Sequence, residues 1–333
     1  MASRRSICVA AFSGLSALGG LALGANQALA QGSGPAPGAG WPDKPIHFVT
    51  PYPPGGLSDQ ITRFAADRIS RSLGKTIIVD NKPGAGAALG TEFAARSAPD
   101  GYTFFVAPTA TVAISPWLRR VNFTIDDFEP VAKLTSSYGL VTARKDAPFN
   151  NFKELVAAAK AEPGKYTFAT NGVGTIVHLT GVLLHKQAGI QLVHVPYKGS
   201  MESMTDLLGG RIDVMYDPVT LPRVKAGELK GLATTNPERN PEVPNVPTLK
   251  EQGFDIDARS WFGIFAPRGT PQAIVTRMAA EAQKAMASPG ARQQLLISAM
   301  YPDYEGPAEF GRRVRADNTF FRDIIQKENI KAD

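Results

Sequence analysis

Three glycine-rich segments stand where a short apolar run gives way to a helical one: Pro51-Tyr52-Pro53-Pro54-Gly55-Gly56-Leu57-Ser58-Asp59, Asn81-Lys82-Pro83-Gly84-Ala85-Gly86-Ala87-Ala88-Leu89-Gly90 and Asn171-Gly172-Val173-Gly174-Thr175. Free of side-chain obstruction, backbone N–H groups at a helix start receive an anionic group. Each such contact is worth about 0.3–1 kcal/mol when exposed and up to ~2 kcal/mol when partly buried. A carboxylate and a phosphate meet that description equally. Candidates for acid–base work are few: Asp59, Asp217 and the histidines His47, His178, His185 and His194. His178 stands one turn inside the helix opened by Thr175. It reads either as a ligand contact or as a neutral imidazole packed between helix and sheet, since a helix amino terminus disfavours the charged form. Asp217 precedes Pro218, which also makes it a helix N-cap followed by the favoured first residue.

Most catalytic readings fail on spacing. Gly84-Ala85-Gly86 opens like a dinucleotide fingerprint, but the third glycine, Gly90, comes one place late. About 20 residues further lies the apolar run around Phe105 and Val106, with no ribose-binding carboxylate. No Gly-Lys-Ser/Thr follows any of the loops, and no G-x-S-x-G elbow occurs. His178 and His185 are seven apart, without a His-Glu-x-x-His pattern, and the single cysteine, Cys8, excludes an internal disulfide and cysteine-based zinc clusters. No cofactor and no metal are expected. An exported hydrolase using Asp59, His178 or Asp217 as acid or base remains an alternative without a nucleophile–base pair behind it.

The chain that positions these loops has 333 residues, 43% hydrophobic and 20% charged, enough for about two domains with buried cores. Its net charge of +6 is dispersed: no run of five basic residues occurs, and Arg312, Arg313 and Arg315 fall on a helical pattern, so nucleic acid is not an expected partner. Arg4 and Arg5 precede an apolar stretch from Ile7 to Ala25 and the small-x-small end Ala28-Leu29-Ala30, the pattern of an export leader cleaved after Ala30. Ser3-Arg4-Arg5 leaves general and twin-arginine export both open. Cleavage removes Cys8, Arg4 and Arg5, leaving 303 residues at a formal charge of +4 and an expected periplasmic location. Residues 31–42 then form a Gly/Pro/Ala-rich linker.

From Trp41 onward, β-rich runs alternate with helical stretches, as in parallel sheets covered by helices. Strands are expected at Ile46–Thr50, Thr76–Asp80, Tyr102–Ala107, Phe128–Leu134, Tyr166–Thr170, Leu192–Val195, Ile212–Tyr216 and Lys230–Thr234. Ile61, Phe64, Ala65 and Ile69 give a helix that Ser58 caps, and Phe152, Leu155, Val156 and Ala159 repeat the stripe. The stretch from Thr270 onward reads as almost wholly helical and is expected to pack back on the first strand–helix series.

Seven ordered blocks carry a family resemblance: Pro51-Tyr52-Pro53-Pro54-Gly55-Gly56 with Asp59; Asn81 to Gly86; Pro99-Asp100-Gly101-Tyr102; Gly172-Val173-Gly174-Thr175 with His178-Leu179; Val195-Pro196-Tyr197-Lys198-Gly199; Asp206-Leu207-Leu208-Gly209-Gly210; and Trp261-Phe262-Gly263 with Ala266 to Pro271. Together, from about Trp41 to Phe321, they resemble the Bug (TctC-like) family of periplasmic solute-binding proteins of tripartite tricarboxylate transporters. The resemblance implies a two-lobed clamp in which the loops matching Tyr52–Gly56 and Asn171–Thr175 grip a ligand carboxylate. It also places Asp217 where amino-acid-binding members pair with the ligand amine. This chain departs from the family pattern at Ala87, where many members have a third glycine, at Ser115-Pro116-Trp117-Leu118-Arg119, and at Ser200-Met201-Glu202-Ser203, which lacks the usual proline.

The expected architecture is therefore an α/β type II periplasmic-binding-protein fold, a ligand cleft separating its two lobes. Residues 43–142 and 262–333 form lobe one and 143–261 lobe two. The expected ligand is a small carboxylic acid, aliphatic or aromatic, held by Tyr52, Pro54, Gly55, Gly56, Ala85, Thr109, Asn171, Gly172, Val173, Gly174, Thr175, His178, Tyr197 and Asp217. The protein is expected to act as a monomer without catalysis and to present its ligand to the membrane subunits of a tripartite transporter. A ligand-sensing subunit that feeds a membrane receptor is the alternative.

Overall fold

The computed structural model describes residues 40–255, 260–298 and 300–331. The expected leader, its cleavage point and residues 31–39 of the linker lie outside them. Two sheets organise the rest. The first contains β1 (Ile46–Thr50), β2 (Ile77–Asn81), β3 (Thr103–Pro108), β4 (Phe128–Ser137), β10 (Ser260–Pro267) and β11 (Met300–Glu305), in the order β11-β4-β10-β3-β1-β2. Here β1, β2 and β3 run parallel, while β10 lies antiparallel between β3 and β4. The second contains β5 (Leu140–Arg144), β6 (Thr167–Thr170), β7 (Val193–Pro196), β8 (Val214–Met215) and β9 (Leu229–Thr234), in the order β7-β6-β8-β5-β9, with β5 antiparallel to both neighbours. The chain leaves the first sheet at Ser137 and enters the second at Leu140, then returns between Thr234 and Ser260.

The helices are α1 (Leu57–Leu73), α2 (Ala88–Ala95), α3 (Ser115–Leu118), α4 (Phe152–Ala161), α5 (Ile176–Ala188), α6 (Ser200–Leu208), α7 (Leu221–Lys225), α8 (Gln272–Ala287), α9 (Ala291–Leu296) and α10 (Pro307–Lys327). The stripe Ile61, Phe64, Ala65 and Ile69 is buried against Ile46, Phe48 and Phe104 of the first sheet and Met278 and Ala282 of α8. Its helix begins two residues earlier than expected. Gly56 is the N-cap and Ser58 lies within the first turn, its carbonyl accepting from the Thr62 hydroxyl at 2.6 Å. The stripe of α4 is likewise buried, against Val141, Phe168 and Val214 of the second sheet.

Three strands carry no alternating pattern legible in isolation. β5 and β10 are central strands buried along nearly their whole length, and β11 reads Met-Tyr-Pro-Asp-Tyr-Glu, with a proline that suits only an edge. What holds β11 is charge: Lys133, 1% exposed on β4, reaches Asp303 and Glu305 at 2.7 Å each, and Arg313 of α10 donates to Glu305 at 2.6 Å. A lysine so deeply buried requires such partners. The C-terminal stretch is thus not wholly helical, although α8 and α10 pack on the first sheet as expected.

The segment from Gly84 to Ala87 adopts four consecutive positive φ angles, 129°, 49°, 62° and 78°. Ala87 occupies a conformation that costs an L-residue about 1–2 kcal/mol. Gly90 answers a different demand, because a Cβ there would stand 2.5 Å from the Lys82 carbonyl oxygen and 2.8 Å from Pro51 Cα, both backbone atoms. Opposite outcomes are expected in chemical denaturation: Ala87→Gly gains about 0.5 kcal/mol after the added unfolded-chain entropy, and Gly90→Ala loses about 1–3 kcal/mol by overpacking. Changes of the same sign would contradict this backbone account.

Candidate functional site

A cavity of about 550 Å³ is lined from both sheets, within the size range of small-molecule sites. Helix beginnings dominate its wall: Leu57 and Ser58 of α1, Ile176 and Val177 of α5, Ser200 of α6, the 3-10 turn at Pro218–Thr220, and Leu221 and Pro222 of α7. Strand ends and the crossover complete it with Pro108, Ser137, Tyr138, Gly139, Ser260 and Phe262. In a sheet with parallel strands, carboxyl ends and following helix starts fall on the same side, which is why such a cavity collects free N–H groups.

The loop from Tyr52 to Gly56 is fixed by Asp59, which is 3% exposed. Its carboxylate accepts from the Gly55 N–H at 2.9 Å, from Arg63 Nε at 2.9 Å and from Asn81 Nδ2 at 2.9 Å, while the same Asn81 amide donates to the Tyr52 carbonyl at 3.0 Å. Burial pushes the Asp59 carboxyl up, but those hydrogen bonds outweigh it and hold the group below the usual carboxylate range. Tyr52 lines the cavity, its hydroxyl 3.2 Å from Thr111 Oγ1 and its phenol shifted up by burial. On the opposite side, Thr175 caps α5 by accepting from the His178 N–H, and Gly172 and Gly174 take φ of 128° and 73°, open only to glycine at little cost.

Of the residues singled out from the sequence, Tyr52, Asn171 and Asp217 line the cavity. Pro54, Gly55 and Gly56 are exposed in the loop that carries Tyr52, while Gly172, Val173, Gly174 and Thr175 continue from Asn171 into α5. Thr109 is fully buried and accepts from the Trp261 N–H at 2.9 Å, a bond that joins β3 to β10. Ala85 is exposed in the loop after β2. The Tyr197 hydroxyl donates to Asp206 at 2.7 Å; burial and that carboxylate push it up to about 12. None of these three lines the cavity. Ser200, noted as a departure from the family pattern, lines it too, and Gln60, Ser137, Thr180, Tyr216 and Ser298 do so without having been singled out. Single hydroxyls and amides carry no sequence signal, and only their helix-start or strand-end positions could have pointed to them.

Asp217 is the only charged residue among the described residues lining the cavity. It is 5% exposed, caps the Pro218 turn through Val219 N–H at 3.0 Å, and accepts from Ser200 Oγ at 2.5 Å. Burial raises its carboxyl in spite of those two donors. Asp217 thus caps the turn and also lines the cavity. The amide oxygen of Asn171 has no hydrogen-bond partner among the described residues.

His178 does not line the cavity. Its Nδ1 accepts from the Gly174 N–H at 3.0 Å, and its ring stacks on His194 with centroids 4.2 Å apart. His185 Nε2 lies 2.7 Å from the Tyr216 hydroxyl. Burial first, then the neighbouring imidazoles, lowers both His178 and His185 to about 4. Between pH 6.5 and 4 the unfolded chain therefore binds protons that the folded chain refuses, and stability falls as pH drops through that window. The expected loss is on the order of 3 kcal/mol for each imidazole. Melting temperatures from pH 7.5 to 4 should show it, with a flatter acid limb in the His178→Asn/His185→Gln variant; identical slopes would contradict the assignment.

Residues 61–330 match the family profile described as tripartite tricarboxylate transporter family receptor. The chain belongs to that family. A protein of Pseudomonas sp. strain P51, described as lying in a tcbD–tcbE intergenic region, is 38% identical over 256 residues, 75% of this chain and 76% of its own. The structure of a TctC solute-binding protein from Polaromonas superposes with a TM-score of 0.78 at 31% identity, covering 86% of this chain and 99% of that one. An R. palustris protein with adipate superposes at 0.74 with 28% identity, covering 87% and 99%. The fold is the two-lobed α/β type II periplasmic-binding-protein fold, and the family's work is solute binding, not catalysis. Among the described residues no group of three or more His, Cys, Asp or Glu is placed to hold a metal.

Proposed function

We propose that the protein is the periplasmic receptor of a tripartite transporter and captures a small carboxylic acid that also carries a hydrogen-bond donor. The observation that supports this is the cavity wall, whose described residues supply several helix beginnings and hydroxyls, no Lys, Arg or His, and one carboxylate, Asp217. A ligand carboxylate is held there by N–H and O–H dipoles instead of an ion pair. Tyr52 to Gly56 grip it from one lobe and Asn171 to Thr175 from the other, with His178 fixing Gly174 from behind. The raised carboxyl of Asp217 accepts from an ammonium, or in its protonated form shares a hydrogen bond with a hydroxyl. Closure of the lobes about the crossovers removes water from the carboxylate, and the closed form is what the membrane subunits read. The adipate complex of the R. palustris relative is in keeping with a carboxylate ligand.

A thermal-shift panel of mono-, di- and tricarboxylates, hydroxy acids and acidic amino acids, run on ligand-stripped protein, should single out a carboxylate class; no shift across the panel would sink the reading. With the best ligand, Asp217→Asn is expected to weaken binding about 100-fold if the donor is an ammonium and about tenfold if it is a hydroxyl. An unchanged affinity would confine Asp217 to its capping role.

A further inference from the structure

A second concavity, about 1110 Å³, lies between α1 and the α8–α9 pair and shares Gln60, Ile297 and Ser298 with the ligand cavity. Its volume is twice that of the ligand cavity, more than a small acid fills and suited to a stretch of polypeptide. The floor is apolar, with Ile61, Phe64 and Leu295, and Ile297 stands 83% exposed at the boundary. Its lining carries Arg63, Arg68, Arg71 and Lys284 with one carboxylate, Asp67, while the buried Asp59 and Glu281 behind it pair with Arg63 and Lys284. Arg71 is paired with Asp67 at 2.8 Å and Lys284 with Glu281 at 2.9 Å. Arg68 meets no carboxylate among the described residues; it lies over the Phe64 ring at 4.0 Å and donates to Ser288 Oγ at 2.8 Å.

We infer that this basic groove docks an acidic segment of the transporter's membrane subunits, an inference that rests on the receptor function proposed above. Charge complementarity selects the occupant, and the apolar floor gives it purchase. The groove is also wired to the ligand loop. Arg63, on its wall, holds Asp59, which holds the Gly55 N–H; Gln60 donates to the Gly55 carbonyl at 3.1 Å and accepts from Ser298 Oγ at 2.9 Å. Both backbone groups of Gly55 are thus tied to groove residues. A partner carboxylate that takes a share of Arg63 draws on the guanidinium that steadies the ligand loop, so docking and ligand grip are reciprocally coupled.

The test uses the full mature protein and the detergent-solubilised membrane subunits of the transporter. Arg68→Glu/Arg71→Glu should leave the thermal shift with the best carboxylate unchanged and weaken docking in biolayer interferometry about tenfold or more, and wild-type docking should weaken as salt rises. Arg312→Glu/Arg315→Glu, the same charge change on α10, should dock like wild type. Docking that survives the groove reversal, or falls equally in the α10 variant, overturns the inference while leaving the receptor function standing. Wild-type protein that neither shifts with any carboxylate nor docks overturns both.

Discussion

The ligand cleft hangs on one buried carboxylate. Asp59 gathers a backbone N–H from the loop after β1, a guanidinium from the next turn of its own helix and an amide from the end of β2. Placing an acid there is unfavourable unless every lone pair is met, and it is met by groups from three different places in the chain. The loop bearing Tyr52 therefore has one geometry available to it. Without that constraint, a Pro- and Gly-rich segment with exposed residues at 53–57 would have nothing to hold its N–H groups toward a ligand.

The second constraint is the junction of the two lobes. At the crossover, the Gly139 N–H donates to Thr235 Oγ1 at 2.7 Å and the Thr235 N–H donates to the Gly139 carbonyl at 3.0 Å, so outgoing and returning chains are stitched together where they pass. A further brace comes from α10, whose Phe321 and Ile325 pack with Leu179 of α5 and with Ala113 and Ile114 after β3. In the proposed closure, lobe movement proceeds around these fixed points, which keeps the loops after β1 and β6 in register.

Among the described residues, the cleft wall offers helix starts and hydroxyls and no lysine or arginine. A lysine or arginine in the wall would hold any anion strongly and with little discrimination, whereas dipoles from helix starts reward an acceptor only at the right place. In the proposed function Asp217 adds a demand of opposite sign, favouring a ligand with a donor to offer. Positive charge sits instead in the neighbouring groove, on side chains that are largely solvated.

The sequence by itself determined the class of fold, the family and the glycine-rich loops, because local patterns carry that information: helical stripes such as Ile61-Phe64-Ala65-Ile69, alternation of strand and helix, and glycines at positive φ. It also led to Tyr52, Asn171 and Asp217. Only the tertiary structure decided the roles of Thr109, His178 and Tyr197, whose polar atoms are satisfied by Trp261, Gly174 and Asp206. The same holds for β5, β10 and β11, whose pairing joins segments distant in the chain. A side chain's type announces what it can bond to, but which partner it meets depends on contacts between remote residues, and those exist only once both sheets have formed.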